Sequence, residues 1–513
     1  MEKEYLKIGN AADLKGGDYV IFRAFEILPG VLSWATLLFV VLCSWLAPVF
    51  IAFFIIAFDV YWLLKTLYLA LHLRVTFSRI QKDLKVDWLA RLKNREIGVE
   101  GWGRLYHLII IPFYREPFEV LDETFRSLAE TNYPSEKFII VLAAEERAGL
   151  EARETARKIQ EKYGQMFYEF LITVHPKDVP GELAGKGSNE TWAGRKVKEL
   201  IDDLKIPYED VIASVFDGDT QVYPDYFGCL TYHFLEAEKP HRSSFQPVPI
   251  FNNNIWDTPA LSRVVATSCT FWQMMQQERP ERLATFSSHA MSLKAIVEMD
   301  FWNVKNISED SRIFWKSLLF YDGDYRTIPL YYPVSMDANL AETFLGTMKN
   351  VYKQQLRWGW GAENIPYFVY GFLKNKKMPF RQSIRHIFNQ FEGFWSWGTN
   401  ALLIFLLGWL PLALGGEKFN LMVLSYNLPR LTRILMTLAM VGLISSAIYS
   451  TILLPPRPPG HPIRKHFYMV FQWILMPLTI IFFGAIPGLE AQTRLMLGKY
   501  MKFWVTPKAR VPR

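Results

Sequence analysis

The sequence predicts a mixed α/β domain with a Rossmann-like parallel sheet, flanked on both sides by transmembrane helices. Apolar stretches at residues 27–71 and again after residue 380 are long enough for membrane spans of about 20 residues each. Between them, residues 105–335 alternate short apolar runs with helical patterns, which is typical of a parallel sheet with crossover helices. A chain that is 50% hydrophobic and 15% aromatic yet 21% charged fits membrane segments joined to a water-facing domain.

The net charge limits the classes of partner that the sequence predicts, and the cysteine content limits the kinds of structural site. The net charge of +7 suits a protein beside an anionic membrane leaflet, or one that handles an anionic substrate. It is too small to indicate nucleic-acid binding, and the sequence has no zinc-finger, helix-turn-helix or RNA-recognition pattern. The three cysteines, Cys43, Cys229 and Cys269, are too far apart to indicate a disulfide framework or a zinc site.

The first apolar block, residues 27–72, is expected to form a transmembrane hairpin with its tip at Pro48. Both flanks of the block carry basic residues and the tip carries none, which places both ends in the cytoplasm. These residues are Lys3, Lys7, Arg23, Arg74, Arg79 and Lys82. Residues 1–26 are then an N-terminal cytoplasmic segment and residues 73–104 a basic juxtamembrane linker. The helical stretch of that linker, residues 74–97, either lies on the membrane surface or is an ordinary linker helix.

The water-facing domain, residues 105–375, is expected to place four strands side by side. The expected strands are residues 108–111, 138–143, 168–174 and 211–216, and the expected helices are residues 119–128, 150–163 and 189–204. Polar residues follow each strand, and the carboxyl ends of parallel strands meet at one edge of a sheet. Such an edge forms a crevice that binds nucleotides.

Apolar runs return in the C-terminal part of the chain. Residues 376–394 mix basic and aromatic side chains and are expected to lie at the membrane interface, and residues 395–489 form a C-terminal transmembrane region. The expected spans are residues 395–414, 434–454 and 467–489. Three crossings place the basic tail, residues 490–513, outside, against the positive-inside tendency. A fourth crossing, or a re-entrant segment bent at Pro477, returns the tail to the cytoplasm.

Two carboxylates stand one residue apart where the strand at residues 211–216 ends. Asp217 and Asp219 offer the hard oxygen ligands that suit Mg²⁺ or Mn²⁺ beside a diphosphate. An open α/β sheet binds its ligands at this end of a strand. Because Asp-Gly is also a common turn pair, a solvated turn is the alternative.

Four short motifs follow one another between the two membrane blocks. They are Ile110-Ile111-Pro112-Phe113-Tyr114-Arg115-Glu116, Asp217-Gly218-Asp219, Ser308-Glu309-Asp310 and Gln354-Gln355-Leu356-Arg357-Trp358. In this order and spacing, the chain resembles the membrane-integrated family 2 glycosyltransferases, the group that contains cellulose and hyaluronan synthases. Arg115 departs from the pattern of that group, which has Asn at this place. The resemblance implies a glycosyltransferase-A-like fold for the cytoplasmic domain.

The resemblance also implies a reaction, the inverting transfer of a sugar from a nucleotide-diphospho-sugar, with UDP as the expected nucleotide. Asp217 and Asp219 would hold Mg²⁺ or Mn²⁺, which neutralises the leaving diphosphate. Asp310 would be the catalytic base that takes the proton of the acceptor hydroxyl. Because Asp310 precedes a helix expected at residues 311–320, a plain helix-capping carboxylate is the alternative.

Gln354, Arg357 and Trp358 are spaced so that one helix face presents all three. Arg357 can pair with a pyrophosphate, and Gln354 can bond phosphate or sugar hydroxyls at the donor site. Trp358 can stack on a sugar ring at the acceptor site. The alternative is an interfacial Arg–Trp pair that anchors the helix near the membrane.

The resemblance also implies roles for further residues. Glu145, after the second strand, and Lys186, before the third helix, are expected to bind the nucleotide-sugar. Gln246 and Glu309 are expected on the acceptor side. Near the end, Phe503-Trp504-Val505-Thr506-Pro507-Lys508 resembles the gating loop of cellulose synthases, and a basic amphipathic tail at the membrane surface is the alternative.

The sequence therefore favours an integral plasma-membrane enzyme that adds sugars, processively or singly, to a growing polysaccharide. Membrane lipids surround it and nucleic acid is not a partner. One alternative is a non-processive transferase that acts on a membrane-lipid acceptor. Another is a non-enzymatic transporter or scaffold with a degenerate nucleotide-binding domain. That last alternative predicts that the acidic motif residues and Arg357 do not gather around one cleft.

Overall fold

The computed structural model describes residues 3–94 and 101–510. Residues 95–100 of the expected linker and residues 511–513 of the expected tail lie outside the described residues. The described chain forms an α/β domain that packs against long helices. The strands are β1 (Tyr106–Pro112), β2 (Phe138–Glu145), β3 (Glu169–His175), β4 (Val211–Val215), β5 (Gln221–Val222), β6 (Ser243–Phe251), β7 (Ala290–Ser292) and β8 (Arg326–Met336).

The helices are given in two groups, those that precede β8 in the chain and those that follow it. The helices up to β8 are α1 (Gly16–Leu46), α2 (Pro48–Asp83), α3 (Trp88–Lys93), α4 (Phe118–Ala129), α5 (Leu150–Tyr163), α6 (Lys186–Asp203), α7 (Tyr226–Glu236), α8 (Ala260–Gln277), α9 (Leu293–Glu298) and α10 (Glu309–Phe320). The helices after β8 are α11 (Phe344–Gly359), α12 (Asn364–Lys374), α13 (Phe380–Leu402), α14 (Leu410–Leu414), α15 (Gly416–Asn420), α16 (Val423–Ile452), α17 (Arg464–Phe471), α18 (Met476–Ile480) and α19 (Ile486–Met496).

The strands form one mixed sheet in the order β3-β2-β1-β4-β7-β6-β8-β5. Strands β3, β2, β1 and β4 run parallel, and β6 and β8 run parallel to each other. Strand β7 joins the two groups by antiparallel pairing with β4 and β6. The predicted α/β fold with a parallel-rich sheet is confirmed. Because the strand order reverses at β1, a crevice opens where β1 and β4 end.

Apolar side chains cover both faces of the sheet. Every residue of β2 and β4 is buried. Side chains of α6, α10 and α12 pack on one face together with Leu6 and Ile8 from the N-terminal segment, and those of α4, α5 and α7 pack on the other. Strands covered on both faces form continuous apolar runs, which makes them recognisable in a sequence. All four strands expected from such runs are present, within two residues at each end.

Strands β5, β7 and β8 were not among the expected strands, and β6 was expected only from the resemblance, at residues 245–247. Strand β5 has two residues and β7 has three, so neither forms a recognisable run. Strand β6 contains Pro247 and Pro249, and β8 contains Pro329 and Pro333. Proline argues against a strand in the interior of a sheet, because it has no backbone N–H to donate.

Four helices of the described chain are long and apolar enough to cross a membrane, judged by length and composition. They are α1, α2, α16 and the continuous helix Arg464–Met496, which includes α17 to α19. The expected hairpin is present, with α1 ending at Leu46 and α2 beginning at Pro48. The span expected at residues 395–414 is not among the four, because α13 ends at Leu402 and a π-helical turn and short helices follow it.

Direct packing joins the α/β domain to these long helices. Helix α8 packs on α2, α11 packs on α19, and α1 packs on both α12 and α19. The buried carboxylate of Glu26 in α1 accepts hydrogen bonds from the Ala11 amide (3.0 Å) and the Tyr500 hydroxyl (2.8 Å). The N-terminal segment and the C-terminal tail are therefore fixed to the same helix.

We predict that Gly194→Ala destabilises the protein by about 1–3 kcal/mol, because a Cβ there would overpack the core. That Cβ would lie 2.7 Å from Cδ1 of the rigid Phe301 ring. The matched control is Gly393→Ala in α13, where a Cβ meets nothing within 4 Å. It should stabilise the protein by up to about 1 kcal/mol through helix propensity. Thermal unfolding of the purified protein in detergent measures both, and equal effects would contradict the packing described for Gly194.

Candidate active site

The chain turns sharply after β4 and presents Asp217 and Asp219 there. The Thr220 amide donates a hydrogen bond to the Asp217 carbonyl (2.9 Å), which closes the turn. The Thr124 hydroxyl on α4 donates to the Gly218 carbonyl (2.9 Å) and fixes the turn beneath that helix. The Asp217 side chain is 29% exposed, whereas Asp219 is fully buried. The Asp217 carboxylate is therefore accessible from solvent, whereas the Asp219 carboxylate is enclosed by protein.

A third carboxylate, Asp337 at the end of β8, lies beside Asp219. The Asp219 Oδ2 atom accepts a hydrogen bond from the Asp337 amide (2.9 Å). Asn253 holds the pair, because its side chain donates to the Asp219 carbonyl (2.9 Å) and to the Asp337 carboxylate (3.1 Å). Burial and the neighbouring Asp219 charge raise the pKa of Asp337 to about 6. The buried Asp219 Oδ1 atom has no hydrogen-bond partner in the described chain.

The C-terminal tail crosses this carboxylate pair. The Lys508 Nζ atom lies 2.6 Å from Asp219 Oδ2. Arg510 forms an ion pair with Asp337 and another, at 2.7 Å, with Glu123 on α4. Burial opposes the Lys508 charge, but the nearby aspartates outweigh it and hold the pKa of Lys508 above its ordinary value. The alternative of a tail lying on the membrane surface is wrong for the tail up to Arg510.

Lys186, the first residue of α6, gathers four carboxylates around its ammonium group. Its Nζ atom lies 2.8 Å from Asp217 and 3.0 Å from Asp310. It lies 3.5 Å from both Glu190 and Glu309. Burial disfavours the charge on Lys186, but the four carboxylates outweigh burial and raise the pKa of this lysine well above its ordinary value. Lys186 therefore remains a cation and connects Asp217 to Asp310.

Two members of this group, Glu190 and Glu309, are buried carboxyls that favour the protonated form. Burial raises the pKa of Glu309 to about 8, and the Asp310 charge adds to the shift. Burial also raises the pKa of Glu190 well above its ordinary value. Among the described residues, neither Glu190 carboxylate oxygen has a hydrogen-bond partner. Carboxylate oxygens of Glu190, Glu309 and Asp310 lie within 4.8 Å of one another, so the cluster is crowded with acidic groups.

The loop before β7 ties the two halves of the site together. The Ser287 hydroxyl donates to Asp217 Oδ2 (2.7 Å), and the Thr285 hydroxyl donates to the Asp310 carbonyl (2.5 Å). Gln246 supports this loop from β6, since its carboxamide accepts from the Phe286 amide (2.7 Å) and donates to the Ser287 carbonyl (3.1 Å). Gln246 is fully buried, so it lies behind the wall of the cleft.

Helix α11 presents Gln354, Arg357 and Trp358 to the same cleft. Gln354 and Trp358 line a pocket together with Asp337. The Trp358 ring has its centroid 6.1 Å from that of Phe251 and 5.9 Å from that of Phe286. The Asn339 side chain donates to the Gln354 carboxamide oxygen (2.9 Å).

Arg357 lies between the acidic cluster and the tail. The positive charge of Arg357 lies close enough to Glu309 to favour the ionised form of that carboxyl. Its guanidinium carbon is 5.2 Å from the centroid of the Phe503 ring. Phe503 also covers the start of α6, because a Cβ on Gly185 would lie 3.0 Å from the Phe503 ring. The tail motif is therefore part of the cleft.

The structure brings most of the predicted site residues into one cleft. These are Lys186, Asp217, Asp219, Glu309, Asp310, Gln354, Arg357 and Trp358. It does not place Gln246 on the surface of the cleft, and the Glu145 carboxylate is occupied by an ion pair with Arg147. The roles given to these residues remain predictions.

The sequence assigned no role to three residues of the cleft, Asn253, Asp337 and Glu190, and included Lys508 only as the last residue of the tail motif. Asp337 follows a strand, as Asp217 does, but the prolines of β8 hide that strand. Glu190 lies one turn after Lys186 on α6, and this i, i+4 spacing is a signal that could have found it. Asn253 and Lys508 carry no comparable signal, because they reach the site through contacts distant in sequence.

Residues 214–485 match the profile of a protein family described as glycosyl transferase family group 2, and the match covers more than half of the chain. The chain belongs to this family. The protein is therefore a glycosyltransferase. The match includes Asp217, Asp310 and Trp358. No curated protein sequence matches the transferase.

Two solved structures illustrate the similarity of fold. The mannosyltransferase PcManGT from Pyrobaculum calidifontis, solved with GDP-Man and Mn²⁺, is 14% identical, and the match covers 77% of the transferase and 98% of PcManGT with a TM-score of 0.40. The fragment 1–349 of S. aureus TarS, solved with UDP-GlcNAc, is 11% identical, and the match covers 70% of the transferase and 98% of that fragment with a TM-score of 0.35. The family assignment does not depend on these distant similarities.

We predict that the wild-type protein loses stability between pH 5 and pH 8, and that Glu309→Gln abolishes this pH dependence. The pKa of Glu309 is about 8 in the folded protein and near 4.5 when exposed, so the folded state binds more protons in this window. The wild type should therefore lose stability relative to the variant as the pH rises, by at most about 1.4 kcal/mol per pH unit.

Thermal unfolding of both proteins across this pH range measures the difference. Glu154→Gln on α5 is the matched control, because the Glu154 side chain is 59% exposed. A constant difference between wild type and Glu309→Gln at all pH values would contradict the assignment.

Proposed function

We propose that this transferase is a membrane-integrated inverting enzyme that moves a sugar from a UDP-sugar to a growing polysaccharide. The observation that carries the proposal is the convergence of Asp217 and Asp310 on one lysine, Lys186, at 2.8 Å and 3.0 Å. A donor-binding carboxylate and a catalytic base must lie this close together to act on one sugar. The resemblance of the motifs to those of cellulose and hyaluronan synthases supports the choice of acceptor.

The carboxylates at the ends of β4 and β8 offer ligands for a divalent cation. Asp217, Asp219 and Asp337 are hard oxygen donors, and the Asp219 Oδ1 atom is buried without a partner in the described chain. Mg²⁺ and Mn²⁺ both suit such a set. When bound, the cation would supply Lewis-acid stabilisation of the leaving diphosphate. Asn253 and the Asp337 amide would hold the buried carboxylate in place.

Asp310 is the proposed base. Its side chain is 22% exposed, so a hydroxyl group of the acceptor can reach it. The Lys186 ammonium lies 3.0 Å from the Asp310 carboxylate and can hold it in place, and an ionised carboxylate is the form that accepts a proton. The acceptor oxygen would then attack the anomeric carbon opposite the leaving diphosphate, which inverts the configuration. Glu309, held mostly protonated by burial, would not compete for the role of base.

Trp358 would bind the acceptor. Its ring is fixed between Phe251 and Phe286, and it lines the pocket that also contains Asp337. A sugar stacked on this ring would lie beside the donor carboxylates. Gln354 and Arg357 would contact the donor phosphates from the same helix. Processive synthesis is the form of the reaction that the Gln-x-x-Arg-Trp motif favours.

A cytoplasmic catalytic domain at the plasma membrane fits the charge pattern of the chain. The segment between α16 and α17 contains Arg457, and α17 begins with Arg464 and Lys465. The segment contacts the α/β domain through Trp256, whose indole donates to the Pro455 carbonyl (3.1 Å). Positive residues favour the cytoplasmic side. Crossings by α1, α2, the segment of residues 395–414 and α16, with a re-entrant path for the helix Arg464–Met496, would place this connector, the N-terminal segment and the tail on that side.

A lipid acceptor is the second candidate for the same reaction. Helix α8 lines the Trp358 pocket with Ser262, Ala266 and Cys269, and it also packs on α2, a helix long enough to cross the membrane. The pocket is thus adjacent to the long apolar helices. The family assignment removes the alternative of a non-enzymatic transporter or scaffold.

We predict that Asp310→Asn lowers the rate of transfer by about 10²-fold to 10⁴-fold, because the base is lost. UDP release from UDP-sugars by the purified protein with Mn²⁺ measures the rate, and calorimetry measures UDP binding. UDP binding should stay within about twofold of wild type, since Asp310 would not contact the nucleotide. Asp324→Asn, a surface carboxylate paired with Lys239, is the control. Parallel loss of binding and of release would contradict the role of Asp310.

We predict that Lys508→Gln increases the affinity for Mn²⁺ in the absence of donor. The Lys508 ammonium forms an ion pair with the Asp219 carboxylate, which would also bind the metal cation. Removal of the Lys508 charge therefore leaves Asp219 available to the metal. The expected gain is about tenfold, which corresponds to about 1.4 kcal/mol. Electron paramagnetic resonance of free Mn²⁺ during titration measures it. Lys502→Gln, an exposed lysine of the same tail, should leave the affinity unchanged. An unchanged affinity in Lys508→Gln would mean that the tail does not compete with the cation.

A further inference from the structure

Glu363 is a buried carboxylate outside the group of residues proposed to bind donor and acceptor. It lies just after α11 and is 8% exposed. Its Oε1 atom accepts hydrogen bonds from the Ile307 amide (2.9 Å), the Ser308 amide (2.9 Å) and the Ser308 hydroxyl (2.6 Å). Its Oε2 atom accepts from the Trp360 indole (2.8 Å). One carboxylate therefore joins the segment before α10 to the segment after α11.

The start of α10 depends on this carboxylate, because the helix lacks a cap of its own. Ser308 is the N-cap residue of α10, yet its hydroxyl makes no capping hydrogen bond to an amide of that helix, all of which the structure describes. The hydroxyl donates to Glu363 instead. The amides at a helix start have no partner within the helix, and a negative charge near them is favourable. Glu363 thus fixes, from another segment, the peptide that precedes Glu309 and Asp310.

The neighbour of Glu363 in the chain strengthens the same junction. The Asn364 side chain donates to the Ser311 hydroxyl (2.9 Å) and accepts from Nε of Arg312 (2.5 Å). The Nη2 atom of Arg312 donates to the Glu363 carbonyl (3.3 Å). Asn364 and Arg312 are both buried. Hydrogen bonds to buried polar groups are expensive to lose, so the first turn of α10 is held firmly against residues 363–364.

This junction lies between the proposed base and the proposed acceptor ring. Asp310 is two residues after Ser308, and Trp358 is two residues before Trp360. Trp360 is only 1% exposed, so its ring cannot shift without the side chains packed around it. A change in the Glu363 carboxylate would therefore alter the separation between the base and the ring.

We propose that Glu363 is a positioning residue that sets the place of the Asp310 carboxylate relative to the Trp358 ring. The inference rests on the proposed function, which makes Asp310 the base and Trp358 the acceptor platform. Glu363 would touch neither donor nor acceptor, and it would act through the Ser308 peptide and the Trp360 indole. None of its hydrogen-bond partners is a proposed donor-binding residue, so donor binding should not depend on it.

The ratio of sugar transfer to donor hydrolysis tests this role. In hydrolysis, the oxygen of water bonds to the anomeric carbon, the water proton passes to the base and UDP leaves. Water can follow a displaced base, whereas a sugar stacked on Trp358 cannot, so a misplaced base lowers transfer more than hydrolysis. Purified full-length protein with Mn²⁺ is assayed with UDP-glucose and UDP-N-acetylglucosamine as donors and with cellotetraose and chitotetraose as acceptor probes.

Glu363→Ala should lower transfer by about 10-fold to 100-fold, while hydrolysis stays within about threefold and the donor KM within about twofold. Glu363→Gln, which keeps one accepting oxygen, should lose less. The matched control is Glu278→Ala, because the Glu278 side chain is 9% exposed and bonds Thr76 on α2, away from the cleft. It should leave the ratio unchanged. Equal falls in transfer and hydrolysis in Glu363→Ala would reflect loss of folded protein and would overturn the positioning role.

Ser308→Ala is a milder variant that keeps the test decisive if Glu363→Ala does not fold. It removes one of the three donors to Oε1 and leaves the two amides in place, so the ratio should fall by about threefold. The double variant should have the same ratio as Glu363→Ala alone, because residues of one network are not additive. Additive losses would overturn the action of Glu363 through Ser308.

Hydrogen–deuterium exchange measures the anchoring of α10 without any turnover. Glu363→Ala should speed exchange of the peptide 305–312 by about tenfold or more, because two of its amides lose their acceptor, and Glu278→Ala should not. Unchanged exchange in Glu363→Ala would overturn the inference whatever the activity. If the wild type neither binds UDP nor turns over a UDP-sugar, the proposed donor fails, while faster local exchange would still support the anchoring role of Glu363.

Discussion

The arrangement of the active site depends on the ion pairs of one ammonium group, that of Lys186. Without it, the Asp217 and Asp310 carboxylates would stand beside two buried acidic groups with no positive charge to compensate them. With it, the turn after β4 and the start of α10 are held at a fixed separation. The lysine is itself placed by backbone geometry, because it is the first residue of α6 and that helix begins at the end of the sheet where the crevice opens.

The need to compensate buried negative charge also explains the path of the C-terminal tail. Asp219 and Asp337 are buried next to each other, and two buried carboxylates need compensating positive charge. Lys508 and Arg510 supply it from the far end of the chain. A divalent cation would supply it equally well, so the tail and the cation are alternative solutions to one problem. The structure described is the one in which the chain satisfies its own carboxylates.

Much of the fold could be predicted because buried parallel strands leave a direct trace in a sequence. Strands β1 to β4 are covered on both faces and form continuous apolar runs, and the polar residues that follow them mark one sheet edge. Strands β6 and β8 contain prolines, so no run or alternation reveals them, and Asp337 was missed with them. The end of β2 was predicted at residue 143 and lies at Glu145. Arg147, two residues later, forms an ion pair with the Glu145 carboxylate.

Long-range contacts set the limit of the prediction. The Lys508–Asp219 contact joins residues 289 positions apart, and no local pattern encodes such a pairing. Gln246 illustrates a second limit, since its neighbours identify a strand but do not say which face of the sheet it occupies. The Asp217-Gly218-Asp219 turn was predictable because the strand and the turn that form it are contiguous.

The loop between β6 and α8 has a mechanical consequence. At one end, Asn253 bonds both Asp219 and Asp337. A few residues later, the Thr258 carbonyl accepts from Arg263, which also bonds Gln472 on a helix long enough to cross a membrane. A shift or tilt of that helix pulls on the segment that positions the buried carboxylates. In a bilayer, whose thickness sets the tilt of the helices that cross it, this linkage would make membrane thickness a variable of the chemistry.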